Sequence, residues 1–245
     1  QTAGIRGRFT VLNGDVFVDF DYADALAAHE RLHAELTLAL YPVSDPSSFG
    51  VAVLNADSLV TGFVEKPPPG TAPSNLINAG VWIFEPGLVG EIPPGPVRVE
   101  ETLFPSLVAR RRRVLGYEFS GVWADIGTPA RYLALNMALL GPGRVAIHET
   151  AFLDPAATVE TSSIGKETSV PAACRVVGSV LWEDVVLGAG AVITDSILAD
   201  DVRIGAGAIV TGAVIGQGAV VSDGAIVPAG TSIEAGARYH GAHDR

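Results

Sequence analysis

The strongest constraint on the fold is a spacing rule in the second half of the chain. From Ile147 onward, aliphatic residues recur at steps of six, six and five. They are Ile147, Leu153, Val159, Ile164, Val170, Val176, Leu181, Leu187, Ile193, Leu198, Ile204, Val210, Ile215, Val221 and Val227, with Ile233 one residue late. Two residues before each, from Leu153 onward, stands a small or slim residue, among them Ala151, Ser162, Cys174, Ser179, Ser196 and Ala208. An α-helix has no such period, and a fixed repeat of this kind marks a solenoid. The pattern predicts a coil with three short flat faces per turn. Each face sends one large aliphatic inward, and the small residue fits a cramped corner. Each rung covers only its neighbour, so stacking buries a continuous core and leaves an end to be capped. Gly165, Gly188, Gly205 and Gly216 directly follow their aliphatics, which predicts corner backbone at positive φ. Val177, Val186, Val192 and Val220 read as an outward stripe too apolar for water, and such a stripe predicts self-association.

This spacing resembles the hexapeptide-repeat, left-handed β-helix family over about residues 146–237. Coils of that family serve either as acyltransferases or as oligomerisation modules. The acyltransferase chemistry needs a general-base histidine, and the repeats from Leu153 to Ile233 contain none. The turn-forming G-P-G-R at 141–144 sets a boundary. The division expected is a first domain at 1–140, a linker at 141–145, the β-helix at 146–237 and a tail at 238–245.

The first part has a different texture. Residues 9–15 read as a buried strand ending in a turn. Residues 22–34 carry helical spacing with Asp21 as N-cap. Residues 35–43 read as a strand, 49–54 and 59–64 as a hairpin about Asn55 and Asp57, and 76–84 as a further buried strand. A helix is expected within 100–110, interrupted by Pro105. Strands follow at 114–119 and 122–125, then a helix at 129–140 opened by proline. The alternation indicates an α/β sheet, whose ligands sit at the carboxyl ends of strands, where Asp15 and Asp125 fall.

The formal net charge of −11 argues against a nucleic-acid surface, and anionic substrates would need a divalent cation beside such a chain. The run Arg110 to Arg113 reads as a solvated helix end. His29, His33, His148, His240 and His243 lack metal-ligand spacing and read as surface residues. The single cysteine, Cys174, leaves no internal disulfide and points to a reducing cytoplasm. No apolar run reaches membrane-spanning length and no signal peptide opens the chain, so neither a membrane nor secretion is expected.

Four short segments carry chemistry: L-N-G-D-V at 12–16, F-V-E-K-P at 63–67, N-A-G at 78–80 and W-A-D-I-G-T-P at 123–129. Alone, each has an ordinary reading: a turn after a strand, a surface pair before a proline loop, a bulge at Gly80, a cap at Asp125, a core position for Trp123. In this order, followed by a β-helix, they resemble the sugar-nucleotide pyrophosphorylases, the NTP:sugar-1-phosphate nucleotidyltransferases. The resemblance implies a Rossmann-like nucleotidyltransferase domain before the left-handed parallel β-helix. It also implies a reaction in which a sugar-1-phosphate oxygen attacks the α-phosphorus of an NTP and pyrophosphate leaves. Asp15 and Asp125 would hold Mg²⁺, a hard cation that favours carboxylates. Lys66 would bind the sugar phosphate and Glu65 the sugar hydroxyls. Gly14, Gly50, Asn78 and Gly80 would complete the substrate site, with the glycines admitting the sugar close to the backbone. Asp15, Lys66 and Asp125 would be the catalytic set. The stretch from 67 to 79 looks most like the mannose-1-phosphate guanylyltransferase branch, with GTP as the NTP. Thymidylyl transfer to glucose-1-phosphate is the alternative within the family.

The family pattern also includes a Gly-rich loop, G-x-G-T-R-L, that cradles the triphosphate, together with a downstream Lys-Pro. Neither occurs in these residues. Thr2, Ala3 and Gly4 resemble the end of a G-T-A-G base-binding segment, with Gln1 at the place of its first glycine. The expectation is a chain holding the acceptor-sugar and metal half of a site, inactive alone. The alternative is a non-catalytic regulatory homologue that binds sugar nucleotide.

Overall fold

The computed structural model describes residues 4–241; the readings placed on Gln1, Thr2, Ala3 and His243 lie outside the described residues. Two compact units, Gln1–Asp125 and Ile126–Arg245, make up the chain.

The first unit is built on one mixed sheet. Its strands are β1 (Phe9–Leu12), β3 (Leu36–Pro42), β4 (Gly50–Leu54), β5 (Val60–Glu65), β6 (Leu76–Phe84) and β7 (Val114–Glu118). The order is β5-β4-β6-β3-β7, with β1 also paired to β6. Only β3 and β7 run parallel; the other pairings are antiparallel. The helices are α1 (Tyr22–Arg31) and α2 (Leu103–Ala109). Asp21 caps α1, its side chain accepting from the Asp24 amide, as N-cap aspartates do. The α2 helix begins later than the sequence suggests. Pro105 therefore falls in its first turn, where its missing N–H costs nothing.

Leu103, Phe104 and Leu107 of α2 are buried against the sheet. Phe104 sits edge-on to Phe63 of β5 and to Trp82 of β6, with ring centroids 5.6 Å and 5.2 Å away. This packing ties the residues just before α2 to the end of β5.

Several expectations change here. The strand at β1 is half-buried, not buried, and Leu12 is exposed, because the strand is paired along one edge, with β6. A strand the sequence did not reveal, β2 (Val16–Asp19), pairs antiparallel with β8 (Val122–Asp125), setting Val16 opposite Asp125. His29 is buried. Its Nδ1 lies 2.7 Å from the Thr37 hydroxyl and its Nε2 3.2 Å from Glu85, and burial pushes its pKa below the ordinary value. The arginine run lies at the solvated end of α2, as expected, with Arg110, Arg111 and Arg113 exposed, and it also carries surface ion pairs. Arg110 bonds Glu91, Arg112 bonds Glu35 and Glu91, and Arg113 donates to the Leu32 carbonyl.

The second unit opens with α3 (Pro129–Leu140), capped by Thr128, whose hydroxyl accepts from the Arg131 amide. The sequence reading groups this helix with the first domain. In the structure it groups with the second unit, packing on the strand Ser162–Ile164, with Tyr132 edge-on to Trp182.

The rest is a parallel β-helix of three sheets, in which each strand pairs with the strand one coil on. The interior column is as the spacing predicts: Val176, Ile193, Leu198, Val210, Ile215 and Val227 are fully buried. Ile147, in the first strand, stays exposed because no coil lies before it. At the other end, the strand Arg238–Tyr239 adds a rung beyond the expected limit of 237.

One corner carries a serine ladder. The Ser162, Ser179 and Ser196 hydroxyls donate to the carbonyls of Glu160, Val177 and Thr194. They accept, each at 3.1 Å, from the amides of Ser179, Ser196 and Ala213 one coil on. Three buried hydroxyls are thereby satisfied, as buried polar groups must be.

The corner glycines have a different cause from the one expected. Gly165, Gly188, Gly205 and Gly216 are not at positive φ. A Cβ on any of them would run into the backbone of the next coil; on Gly216 it would lie 2.6 Å from the Ala235 nitrogen. Positive φ falls instead three residues before each interior aliphatic from Ile164 onward, beginning with Thr161, Glu167 and Ala173. It is taken by Gly178, Gly190, Gly207, Gly212 and Gly218, and equally by Asp184, Asp195 and Asp201, acidic residues that tolerate the left-handed region better than most. The valine stripe also divides. Val177 and Val192 belong to one sheet, Val186 and Val220 to another. The continuous apolar column is Val192, Ile209 and Ile226, in register on one face, with Ile209 and Ile226 exposed.

Candidate active site

A cavity of about 310 Å³ opens in the first unit at the ends of β5, β6 and β8. Asp15, Gly50, Glu65, Lys66, Asn78, Gly80 and Asp125 line it, together with Asn13, Ser48, Phe49, Arg98, Glu100 and Trp123. Of the expected site residues, only Gly14 is not among the lining residues. Residues as far apart in sequence as Asn13 and Asp125 are thus brought to one place by the sheet.

The pairing of β2 with β8 explains the two aspartates. Val16 faces Asp125 across that pair, and Asp15 is the residue before Val16, so both carboxylates arrive at the same rim. The N-cap of α3 is Thr128.

Lys66 follows β5 with φ +46, an uncommon conformation for a lysine, and its amide donates to the Phe49 carbonyl at 3.0 Å. The hairpin register sets Gly50 opposite Glu65. A Cβ on Gly50 would meet Glu65 Oε2 at 2.7 Å and the Phe63 ring at 2.6 Å. The missing side chain therefore makes room for Glu65. Gly80, at φ +77, would press a Cβ onto the Asn13 side chain, and its carbonyl accepts from the Asn13 amide at 2.8 Å. In both cases the space near the glycine is claimed first by the protein.

The Asn78 carboxamide oxygen accepts from Trp82 Nε1 at 2.7 Å and from the Gly80 amide at 3.3 Å. Trp123 is both a core residue and part of the cavity wall. It meets Phe49 edge-on, packs near Tyr41, and donates from Nε1 to the Ala79 carbonyl at 3.0 Å.

Glu65 stands apart. Its Oε2 is buried and is the one buried side-chain polar atom without a hydrogen-bond partner among the described residues. Burial, and then the charge of Glu100, push its pKa above the ordinary carboxylate value. An acceptor left in that state is completed by a ligand or a proton.

Residues 2–141 match the family described as Nucleotidyl transferase. The chain belongs to that family. Residues 142–235 match a second family, described as GMPPB C-terminal domain. The chain is 34% identical over 164 residues to a mannose-1-phosphate guanyltransferase of Schizosaccharomyces pombe, covering 62% of this chain and 44% of the relative. It is 34% identical over 194 residues to a mannose-1-phosphate guanylyltransferase of Mycobacterium tuberculosis, covering 74% and 54%. A mannose-1-phosphate guanylyltransferase catalytic subunit beta of Danio rerio is 39% identical over 126 residues, covering 51% and 34%. The chain spans about half the length of the first two of these relatives.

For a nucleotidyl transferase the missed lining residues make sense as a group. Arg98 and Glu100 belong to no local motif. They reach the cavity because α2 docks on β5, a tertiary effect with no signature in their own neighbourhood.

Proposed function

We propose that this chain supplies the acceptor-sugar and metal portion of a site that transfers a guanylyl group from GTP to mannose-1-phosphate, giving GDP-mannose and pyrophosphate. The observation that carries this reading is the convergence of Asp15, Asp125, Glu65 and Lys66 on one cavity. The names of the similar proteins support the choice of nucleotide and sugar.

The reaction forms a bond from the sugar-phosphate oxygen to the α-phosphorus of the NTP and breaks the bond to the leaving pyrophosphate. Its catalysis is mainly positioning and charge neutralisation. Among the described residues no cluster of three His, Cys, Asp or Glu side chains forms a ready-made cage. The Asp15 and Asp125 pair suits Mg²⁺, which keeps several waters and takes one or two carboxylates alongside substrate phosphates. When bound there, Mg²⁺ would offset the negative charge gathered between the two phosphate groups. Lys66, fixed by the Phe49 carbonyl, holds the sugar phosphate as a compact cation. Glu65 accepts from sugar hydroxyls, and the Trp123 and Phe49 walls exclude water from one side.

Pyrophosphate release by the complete protein, with the triphosphate-binding loop, measured over several NTP and sugar-1-phosphate pairs tests the proposal, with GTP and mannose-1-phosphate expected as the best pair. A preference for dTTP with glucose-1-phosphate would replace the substrates and keep the chemistry. Binding of mannose-1-phosphate with no turnover by any pair, in the complete protein, would favour a regulatory role. In the complete protein Asp15→Asn and Asp125→Asn should each lower turnover on the order of a hundredfold or more, and Lys66→Ala should act mainly on KM for the sugar phosphate.

No helix among the described residues is long and apolar enough to cross a membrane; with a single free cysteine, a reducing cytoplasm is the compartment that fits. The β-helix column of Val192, Ile209 and Ile226 supports self-association. Val192→Asp should lower the mass seen by light scattering while leaving circular dichroism unchanged, and a wild-type chain that is monomeric at micromolar concentration would remove this role.

A further inference from the structure

We infer that Glu100 is a second sugar-recognising carboxylate, forming with Glu65 a two-pronged acceptor that grips two hydroxyls of the acceptor sugar. The inference rests on the reading of the cavity as a sugar-phosphate site and deepens it.

The argument begins with packing. Phe104 is fully buried against Phe63 of β5, so the turn that precedes α2 is fixed relative to the end of β5. That turn carries Arg98 and Glu100, and the end of β5 is Glu65. All three side chains line the cavity.

The chemistry of the lining then divides by role. Glu65 and Glu100, when ionised, only accept hydrogen bonds, whereas Lys66 and Arg98 only donate. A phosphate ester satisfies the donors. It offers nothing to two carboxylates, which would repel it. A ligand that serves both sets is a phosphate joined to a polyol, and its hydroxyl hydrogens are what Glu65 Oε2 lacks. Glu65 and Glu100 line the same cavity, and Glu100 is the largest charge influence on Glu65, so one polyol can offer a hydroxyl to each. The charged groups acting on Glu65 are Glu100 and Glu101, which raise its pKa, and Lys66 and Arg98, which lower it. Arg98 is also held by Glu101 at 3.0 Å.

The test is calorimetric titration of the 245-residue chain with mannose-1-phosphate, with its analogue lacking one ring hydroxyl, and with inorganic phosphate. Glu100→Gln should weaken mannose-1-phosphate about tenfold, the loss typical of a hydrogen bond to a charged group. It should leave inorganic phosphate unchanged. The deoxy analogue that has lost the hydroxyl facing Glu100 should bind wild type about tenfold worse, with little further loss in Glu100→Gln, since one bond cannot be removed twice.

A pH series gives a second readout. Wild-type affinity should fall as pH drops through the raised Glu65 value, and Glu100→Gln should move that fall to lower pH. Unchanged mannose-1-phosphate affinity in Glu100→Gln, or an equal loss for inorganic phosphate, overturns the inference while the wild-type titration upholds the site. If wild type binds no hexose-1-phosphate, the functional reading fails first and this inference falls with it.

Discussion

In the β-helix each interior residue meets its counterpart one coil away, so a single rule is applied along the whole axis. In the first unit no position repeats. Its interior depends on Phe63, Trp82, Phe84 and Phe104 meeting from three separate elements. The repeating unit satisfies even its buried hydroxyls, through the serine ladder, whereas the non-repeating unit leaves Glu65 Oε2 without a partner. The difference teaches where function can reside. A structure made of one satisfied rule has little unspent polarity inside, and one assembled from unlike parts can leave a group waiting for a ligand.

The harshest way to break this contrast is a charge inside the coil. Ile204 is 3% exposed, and Ile204→Asp should destabilise the second unit by roughly 3–5 kcal/mol or more, since nothing inside can pair the carboxylate. Loss of the β-helix transition in thermal unfolding is the expected sign. Next in size, Phe104→Ala should cost the first unit about 3–5 kcal/mol, as truncation of a core aromatic does. It should also weaken sugar-phosphate binding, because the turn bearing Glu100 would lose its anchor. Wild-type affinity in that variant would separate the core from the site.

Smaller effects sharpen the comparison within the coil. Gly188→Ala should cost about 1–3 kcal/mol as overpacking, because the backbone of Gly205 and Ala206 occupies the space. Gly190→Asp should cost about 1 kcal/mol or less, since Gly190 has open space beside it and Asp184 holds the same conformation one corner earlier. Denaturant midpoints for the two variants check the distinction. Equal losses would mean that conformation, not contact, governs both positions.

The smallest effect concerns Glu65 and has a sign. Its folded pKa is raised, so the stability it contributes is fully present below its unfolded value and is lost as pH rises through the folded one. Glu65→Gln should therefore melt higher than wild type at neutral pH, and the gap should close on acidification toward the ordinary glutamate value. Glu35, bound to Arg112 and lowered, should behave oppositely. Its contribution is present above the unfolded value and fades as pH falls through the folded one.

The fold was legible wherever local pattern and tertiary need agree. The strand Leu76–Phe84 and the helix Pro129–Leu140 match their sequence limits at both ends. One is a long apolar run, and the other carries a threonine cap followed by proline. The interior of the β-helix was legible because its rule recurs in every coil. Val16–Asp19 was not recognised, since four residues ending in an aspartate become a strand only when β8 lies alongside. The left-handed corners were overlooked for a related reason: threonine, glutamate, alanine, aspartate and glycine all occupy them, and the signal lies in the position rather than the residue. In the site, segments that form motifs could be found and residues delivered by packing could not, which is the difference between Lys66 and Arg98.

The double attachment of Trp123 has a practical consequence. Its indole is held by the Ala79 carbonyl and the Phe49 ring while one side lines the cavity. Trp82 is enclosed in the core, and Trp182 lies on the coil. The molecule thus carries three fluorophores in three settings, and only Trp123 borders the cavity. Its emission, isolated by replacing Trp182 with phenylalanine and read against the steady signal of Trp82, would act as an optical gauge of occupancy, reporting filling of the site without a label or a coupled enzyme.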